Sequence, residues 1–325
     1  MKAAVIRKYG GPDTFRIEEV PERGPKAGEI KVRNVATSIN PIDFKARKGY
    51  LFVVSGFRFP KILGADFAGV VEACGAGVRN FKPGDEVYGF TAAAGGKGAL
   101  AESLCCKASV ASAKPTSLDF EQAAALPLAA STAYRALTKE GGLTAGMRVL
   151  VVGATGGVGH FAVQIARISG AHVTGVCRSS GESAARELGC IDVIAYDRTD
   201  FRRSGQTFDL IFDAAGKYGF GACRALLTAQ GTYVTTIPGP SIMLRRVLTA
   251  SASGRKARFV AANSNDRDLS LMRQWCDEGR LKPLIDAVFP LEETRQAFER
   301  AESGRTRGKV VIRTGETSGS VGKAE

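Results

Sequence analysis

Apolar positions in the first third of the chain fall into short runs. Residues 3–6, 29–35, 69–74 and 86–90 are of strand length, and clusters such as Gly10-Gly11-Pro12-Asp13 and Lys82-Pro83-Gly84-Asp85 separate them. Gly, Pro and Asp at such breaks favour tight turns over continued strand or helix. Residues 1–110 are therefore read as a partly open β-barrel. The pattern then changes. Residues 119–138 are alanine-rich and helical, with Pro127 as an internal break. From Arg148, strand-like runs at 148–152, 172–177, 192–196, 208–212, 231–237 and 258–261 alternate with helix-like runs at 158–169, 182–188 and 219–227. Such alternation gives right-handed parallel crossovers, hence a doubly wound sheet and an α/β fold class. Residues 266–280 carry Leu269, Met272 and Cys276 on one helical face, and 309–312 form a last strand. The tail from Thr314, rich in Gly, Ser, Thr, Lys and Glu, is expected to be disordered.

The most informative motif is Val149-Leu150-Val151-Val152-Gly153-Ala154-Thr155-Gly156-Gly157-Val158-Gly159. An apolar strand ends in a glycine turn that opens into a helix. Glycines let the backbone turn sharply and approach a pyrophosphate, and the helix N-terminus presents free N–H groups to it. The spacing is G-x-x-G-x-x-G, a variant of the usual dinucleotide fingerprint. At the end of the next strand an NAD site wants an acidic residue for the ribose 2′-hydroxyl. Arg178, Ser179 and Ser180 stand there instead. A guanidinium and two hydroxyls suit a 2′-phosphate, so NADPH is the expected cofactor.

Composition adds limits. The chain has 325 residues with 45 Lys+Arg against 32 Asp+Glu, a formal charge of +13, seven cysteines and two histidines. That length suggests two domains. No run reaches the roughly 18 apolar residues of a membrane span, and the first residues read as a strand rather than a signal peptide. An odd number of cysteines without a C-x-x-C pair fits a reducing, cytoplasmic setting. Cys105-Cys106 is read as a pair of strand residues. With His160 and His172 the only histidines, each read as structural, a zinc site of His/Cys type is hard to assemble and no metal is expected. Basic clusters at Arg245-Arg246, Arg255-Lys256-Arg258 and Arg305–Arg313 are read as solvated surface or as attraction for anionic ligands. No RNA-binding motif accompanies them, and nucleic acid is not an expected partner.

Further segments carry a resemblance. Ile62-Leu63-Gly64-Ala65-Asp66-Phe67-Ala68-Gly69-Val70-Val71-Glu72 is followed by Gly77-Val78-Arg79-Asn80-Phe81-Lys82-Pro83-Gly84-Asp85-Glu86-Val87-Tyr88-Gly89. With Ser38-Ile39-Asn40-Pro41-Ile42-Asp43, Gln122-Ala123-Ala124-Ala125-Leu126-Pro127-Leu128 and the glycine loop, they resemble the medium-chain dehydrogenase/reductase superfamily, in detail its zinc-independent quinone oxidoreductase branch. The zinc enzymes of that superfamily keep a histidine in the segment that here reads Gly64-Ala65-Asp66, and a cysteine near the one that here reads Ser38–Asn40. The resemblance implies a discontinuous GroES-like catalytic domain at 1–119 and 263–313, a Rossmann domain inserted at 120–262, and an active site in the cleft between them. It also suggests a homodimer formed through the Rossmann domains.

Without a metal to polarise a simple ketone, an electron-poor quinone or α,β-unsaturated carbonyl is the expected hydride acceptor. The alternatives are a zinc-free alcohol or carbonyl reductase and a non-catalytic NADPH-binding protein. In the N-terminal segment that the resemblance places near the nicotinamide, the candidate catalytic donors are Asn40, Lys45 and Tyr50. Toward the cofactor the resemblance implies Thr132, Gly153, Gly156, Gly157, Val158, Tyr196, Ala214, Ala215, Ile237 and Lys309, beside the Arg178, Ser179 and Ser180 read above. Residues 51–59 and 238–248 are the expected substrate-pocket walls.

Overall fold

The computed structural model describes residues 1–91, 98–237, 239–249, 254–261 and 265–315. Position 238 of the expected pocket wall and most of the expected disordered tail, 316–325, lie outside them. The N-terminal segment forms β1 (Lys2–Ile6), β2 (Phe15–Glu19), β3 (Glu29–Ser38), α1 (Pro41–Arg47), α2 (Phe52–Ser55), β4 (Lys61–Ile62), β5 (Asp66–Cys74), β6 (Glu86–Phe90), β7 (Ser103–Lys107), β8 (Ala111–Ala113) and α3 (Phe120–Ala125). Then come α4 (Pro127–Arg135), β9 (Arg148–Val152), α5 (Gly159–Ile168), β10 (His172–Cys177), α6 (Glu182–Leu188), β11 (Asp192–Ala195), β12 (Phe208–Asp213), α7 (Phe220–Cys223), β13 (Leu227–Thr235), α8 (Pro240–Leu248) and β14 (Lys256–Phe259). The chain closes with α9 (Asp266–Asp277), β15 (Ile285–Pro290), α10 (Thr294–Glu302) and β16 (Lys309–Arg313).

The chain divides into two compact units. The first comprises Met1–Leu128, Ser264–Asp277 and Ile285–Glu325; the second comprises Ala129–Asn263 and Glu278–Leu284. Thus the first unit runs past the expected limit at 119, because α3 packs on β3, β5 and β16. Residues 278–284 join the second unit: Gln164 on α5 donates to the Lys282 carbonyl at 2.9 Å and accepts from its N–H at 2.8 Å.

In the first unit a small sheet runs β2-β1-β4, and a larger one runs β15-β16-β3-β5-β6-β8, with β7 also pairing β3. Strand β3 alternates half-buried and buried residues at its start, then is buried throughout from Asn34 to Ser38, where its neighbours cover both faces. Ile30, Val32, Phe67, Val71 and Val87 fill one core, and Ala4, Ile6, Leu63, Phe298 and Ile312 another. The last strand sets Val311 opposite Ser38, which carries Lys309 into the same region as the start of α1. Thr314, expected in the disordered tail, is instead fixed to β3: its N–H donates to Val35 O at 2.9 Å and its hydroxyl to Asn34 O at 2.8 Å.

Among the described residues of the second unit six parallel strands run β11-β10-β9-β12-β13-β14. Strand β9 is buried from Val149 to Val152, as expected of a central parallel strand covered on both faces. The expected helix at 219–227 is shorter. Helix α7 gives way to a single tight turn at Arg224–Leu226, and β13 begins at Leu227.

Candidate functional site

In the second unit every parallel strand points its carboxyl end to one edge of the sheet. The strand order reverses between β9 and β12, so a crevice is expected outside the ends of these two strands. Gly153 follows β9 at φ +82°, a left-handed backbone that favours glycine. A Cβ there would lie 3.1 Å from that of Ala215, which follows β12. Gly159 starts α5, and a Cβ on it would come within 1.9 Å of the Gly153 carbonyl oxygen, so only glycine closes this loop. Among the described residues the N–H groups of Gly157 and Val158 have no acceptor. Unsatisfied donors at a helix N-terminus with a side-chain-free approach fit the pyrophosphate of a dinucleotide. His160, the second residue of α5, donates from Nδ1 to Gly156 O at 2.9 Å, and its Nε2 accepts from Leu284 N–H at 3.1 Å. Both ring nitrogens are thus engaged in holding the loop and the 278–284 segment.

Arg178, Ser179 and Ser180 follow β10, and Tyr196 follows β11 with its N–H on Cys177 O at 2.9 Å. The Arg178 and Tyr196 side chains are both exposed. One partner here differs from the sequence reading, which put no acidic group beside this strand end. Asp197 lies against Ser179, accepting from its N–H at 2.8 Å and from its hydroxyl at 2.7 Å. Beyond β12, the N–H groups of Ala214 and Ala215 donate to Val152 O at 3.1 and 3.3 Å, which fixes the turn next to the glycine loop. Asp213, buried at the end of β12, accepts from Tyr218 N–H at 2.7 Å and holds the far side of that turn. Burial pushes its carboxyl above the usual range. Ile237 follows β13 and is exposed, and Thr132 on α4 is buried.

The first unit holds a buried polar cluster. Asp66 Oδ2 accepts from Ser38 Oγ at 2.6 Å and from Asn40 Nδ2 at 2.8 Å, while Oδ1 accepts from Leu128 N–H at 2.9 Å. Lys309 Nζ donates to Asn40 Oδ1 at 2.6 Å and Ile39 O at 3.0 Å and faces Asp66 Oδ2 at 3.5 Å. Three ammonium hydrogens thus meet three acceptors. Lys309, expected to reach the cofactor phosphates, is turned inward onto these acceptors. Asn40, expected as a donor to substrate, gives its amide hydrogens to Asp66 and to Ser38 O at 3.2 Å. Asp43 accepts the Asn40 backbone N–H at 2.8 Å, capping α1. Its Oδ1 is buried without a partner among the described residues, and burial, aided by the Asp66 charge, pushes its pKa up to about 7.

Lys45 lies in the last turn of α1, half-buried, and its carbonyl accepts the Tyr50 N–H at 3.0 Å. The Tyr50 side chain is 73% exposed. Cys105 and Cys106 sit side by side on β7, and burial pushes both thiols up. Among the described residues no three His, Cys, Asp or Glu side chains gather as a metal-binding set.

Sequence reasoning missed Asp197 and the Asp43–Asp66–Lys309 grouping. The parallel register offered a signal for the first: Cys177 pairs with Ala195, so Ser179 and Asp197 stand two residues beyond matched positions.

Residues 26–116 match the family "Alcohol dehydrogenase GroES-like domain" and residues 188–312 the family "Zinc-binding dehydrogenase". The chain is 35% identical to the mitochondrial NAD(P)H oxidoreductase RTN4IP1 of Bos taurus, over 96% of this chain and 89% of that protein. It is 34% identical to the 2-methylene-furan-3-one reductase of Solanum lycopersicum, over 96% of this chain and 79% of the other. Its fold is similar to the solved quinone oxidoreductase of Coxiella burnetii, with a TM-score of 0.88, 28% identity, and coverage of 96% and 99% of the two chains.

Proposed function

The chain belongs to the medium-chain dehydrogenase/reductase superfamily, in its quinone oxidoreductase branch, and from that premise we propose a metal-free, NADPH-dependent reductase of quinones or α,β-unsaturated carbonyls. Oxidoreductase chemistry is the part its relatives share by name, and the name of the mitochondrial relative adds NAD(P)H as the reductant. The observation that carries the finer reading is the Ser38–Asp66–Lys309 grouping. Where the zinc enzymes of the superfamily keep ligands, Ser38 and Asp66 are bonded to each other and face an ammonium. A divalent cation fits poorly beside that charge. A substrate whose conjugation already spreads the incoming negative charge suits such a site, since only hydrogen-bond donors and a proton are then required.

When bound, the reduced nicotinamide supplies the hydride. The chain's own residues hold and protonate. Gly157 and Val158 offer N–H groups to the pyrophosphate, and Arg178 and Ser180 offer charge and hydroxyl to a 2′-phosphate. Tyr50, or Lys45 five residues before it, delivers a proton to the enolate or hydroquinone anion. The relative named as a 2-methylene-furan-3-one reductase supports the conjugated substrate.

The outer edge of β14, unpaired among the described residues, and the exposed side chains of Met243, Leu244, Val247 and Leu248 on α8 support a homodimer formed by this face. Seven unpaired thiols support a reducing, cytoplasmic setting. Among the described residues no helix is long and apolar enough to cross a membrane.

The test is NADPH oxidation with a naphthoquinone, a short enone, a crotonyl thioester and a saturated ketone, each with and without chelator. Turnover of a conjugated acceptor, unchanged by chelator, is expected. Loss with chelator sinks the metal-free reading, and turnover of the saturated ketone alone makes the chain a carbonyl reductase.

A further inference from the structure

Strands β10 and β11 pair in parallel, with Cys177 opposite Ala195. Past both strand ends this register brings Asp197 against Ser179. One carboxylate oxygen accepts the Ser179 N–H at 2.8 Å, the other accepts its hydroxyl at 2.7 Å, and Arg178 Nε stands 4.0 Å from the latter. Two groups suited to a 2′-phosphate, the Arg178 guanidinium and the Ser179 hydroxyl, therefore already face a negative charge from the neighbouring strand. The hydrogen bonds from Ser179 hold the Asp197 carboxyl below the usual range, so it is ionised at neutral pH.

We propose that Asp197 is a specificity-determining residue that restrains the preference for a 2′-phosphate and leaves the adenosine end open to NADH as well as NADPH. A carboxylate has about four acceptor positions, and Ser179 engages two. The remaining ones can accept a free ribose 2′-hydroxyl. That is the part played in NAD sites by an acidic residue at the end of the second strand itself. Against a phosphate dianion the same charge is repulsive, and Arg178 must divide its attraction between the two. The proposal rests on the reading that the adenosine half of the cofactor binds at the carboxyl end of β10.

The experiment compares the full-length protein with Asp197→Asn and Arg178→Ala. Dissociation constants are measured by titration for NADPH, NADH, adenosine 2′,5′-bisphosphate and ADP. Asparagine keeps the shape and a hydrogen bond to Ser179 while removing the charge. Asp197→Asn is expected to tighten NADPH and adenosine 2′,5′-bisphosphate by about tenfold, the order for removing a unit charge facing a dianion at a solvated surface. NADH and ADP should stay level or weaken. An unchanged NADPH-to-NADH ratio overturns the proposal, and equal weakening of all four ligands reduces Asp197 to a clamp on the Ser179 turn. If Arg178→Ala leaves NADPH binding unmoved, or the unaltered protein binds none of the four, the adenosine-site reading falls and takes the proposal with it. A melting temperature for each variant separates lost binding from lost folding.

Discussion

Lys309 and Asp66 face each other at 3.5 Å inside the first unit, with 3% and 0% of their side chains exposed. Lys309 comes from the last strand and Asp66 from the start of β5, so the pair ties the chain's end to its N-terminal third. Burial alone pushes the Lys309 ammonium toward its neutral form, and the carboxylates of Asp66 and Asp43 oppose that. Removing the cation leaves carboxylates buried without compensation. Lys309→Met is expected to cost about 3–5 kcal/mol, the range for breaking a buried pair from one side. A denaturant midpoint within error of the unaltered protein would show that the pair contributes nothing.

Asp43 predicts a pH dependence. Its folded pKa, about 7, lies above its ordinary value of 3.8. Between those values the folded chain holds a proton that the unfolded chain has released. The stabilisation is therefore complete below the ordinary value and is lost as pH rises through about 7. Asp43→Asn carries no such proton. Its stability relative to the unaltered protein should rise between pH 4.5 and 7.5, by at most about 1.36 kcal/mol per pH unit. Chemical denaturation of both proteins across that range checks this, and a flat difference rules it out.

What was legible in the sequence follows from how local each signal is. The glycine loop could be read because Gly153 and Gly159 meet constraints set by the loop itself, a left-handed turn and a 1.9 Å approach. The parallel sheet could be read because β9 is apolar on both faces while short helices separate the strands. The cluster around Asp66 could not. Lys309 lies 243 positions away, and nothing near either residue says that one neutralises the other. Likewise Asn40 looked like a free donor because its partners, Asp66 and Lys309, arrive through tertiary pairing of β3 with β5 and β16. Asp197 was hidden by a one-strand view of the adenosine site, since its carboxylate comes from the loop after the next strand.

Tyr50 is the proposed proton donor, and its exposure makes the test clean. With 73% of the side chain open, loss of the hydroxyl should leave folding untouched. Tyr50→Phe is expected to lower kcat about 100-fold, the lower end of general-acid contributions, with an unchanged melting temperature. If Tyr50→Phe turns over normally while Lys45→Met does not, the role passes to Lys45.

Gly159→Ala tests the cradle. The added methyl would stand 1.9 Å from the Gly153 carbonyl oxygen, so either the loop or α5 must shift. Dinucleotide binding by titration should fall by at least about tenfold, since the N–H groups at a helix start act on a phosphate only when it can approach them. Unchanged affinity for both NADPH and NADH would remove the glycine loop from the cofactor site.

Among the described residues strand β14 ends its sheet with one edge unpaired, and beside it α8 exposes Met243, Leu244, Val247 and Leu248, Val247 most of all at 73%. An open strand edge next to apolar surface is a poor solvent face unless something covers it. A second copy, meeting it about a twofold axis, pairs edge with edge and apolar face with apolar face at once. Val247→Asp with Leu244→Asp should turn a dimer into a monomer in sedimentation at micromolar concentration. Far-ultraviolet circular dichroism and NADPH affinity should remain as they were, because neither side chain belongs to the glycine loop or the β10 end. A monomeric unaltered protein, or a variant that remains dimeric, removes this face as the interface.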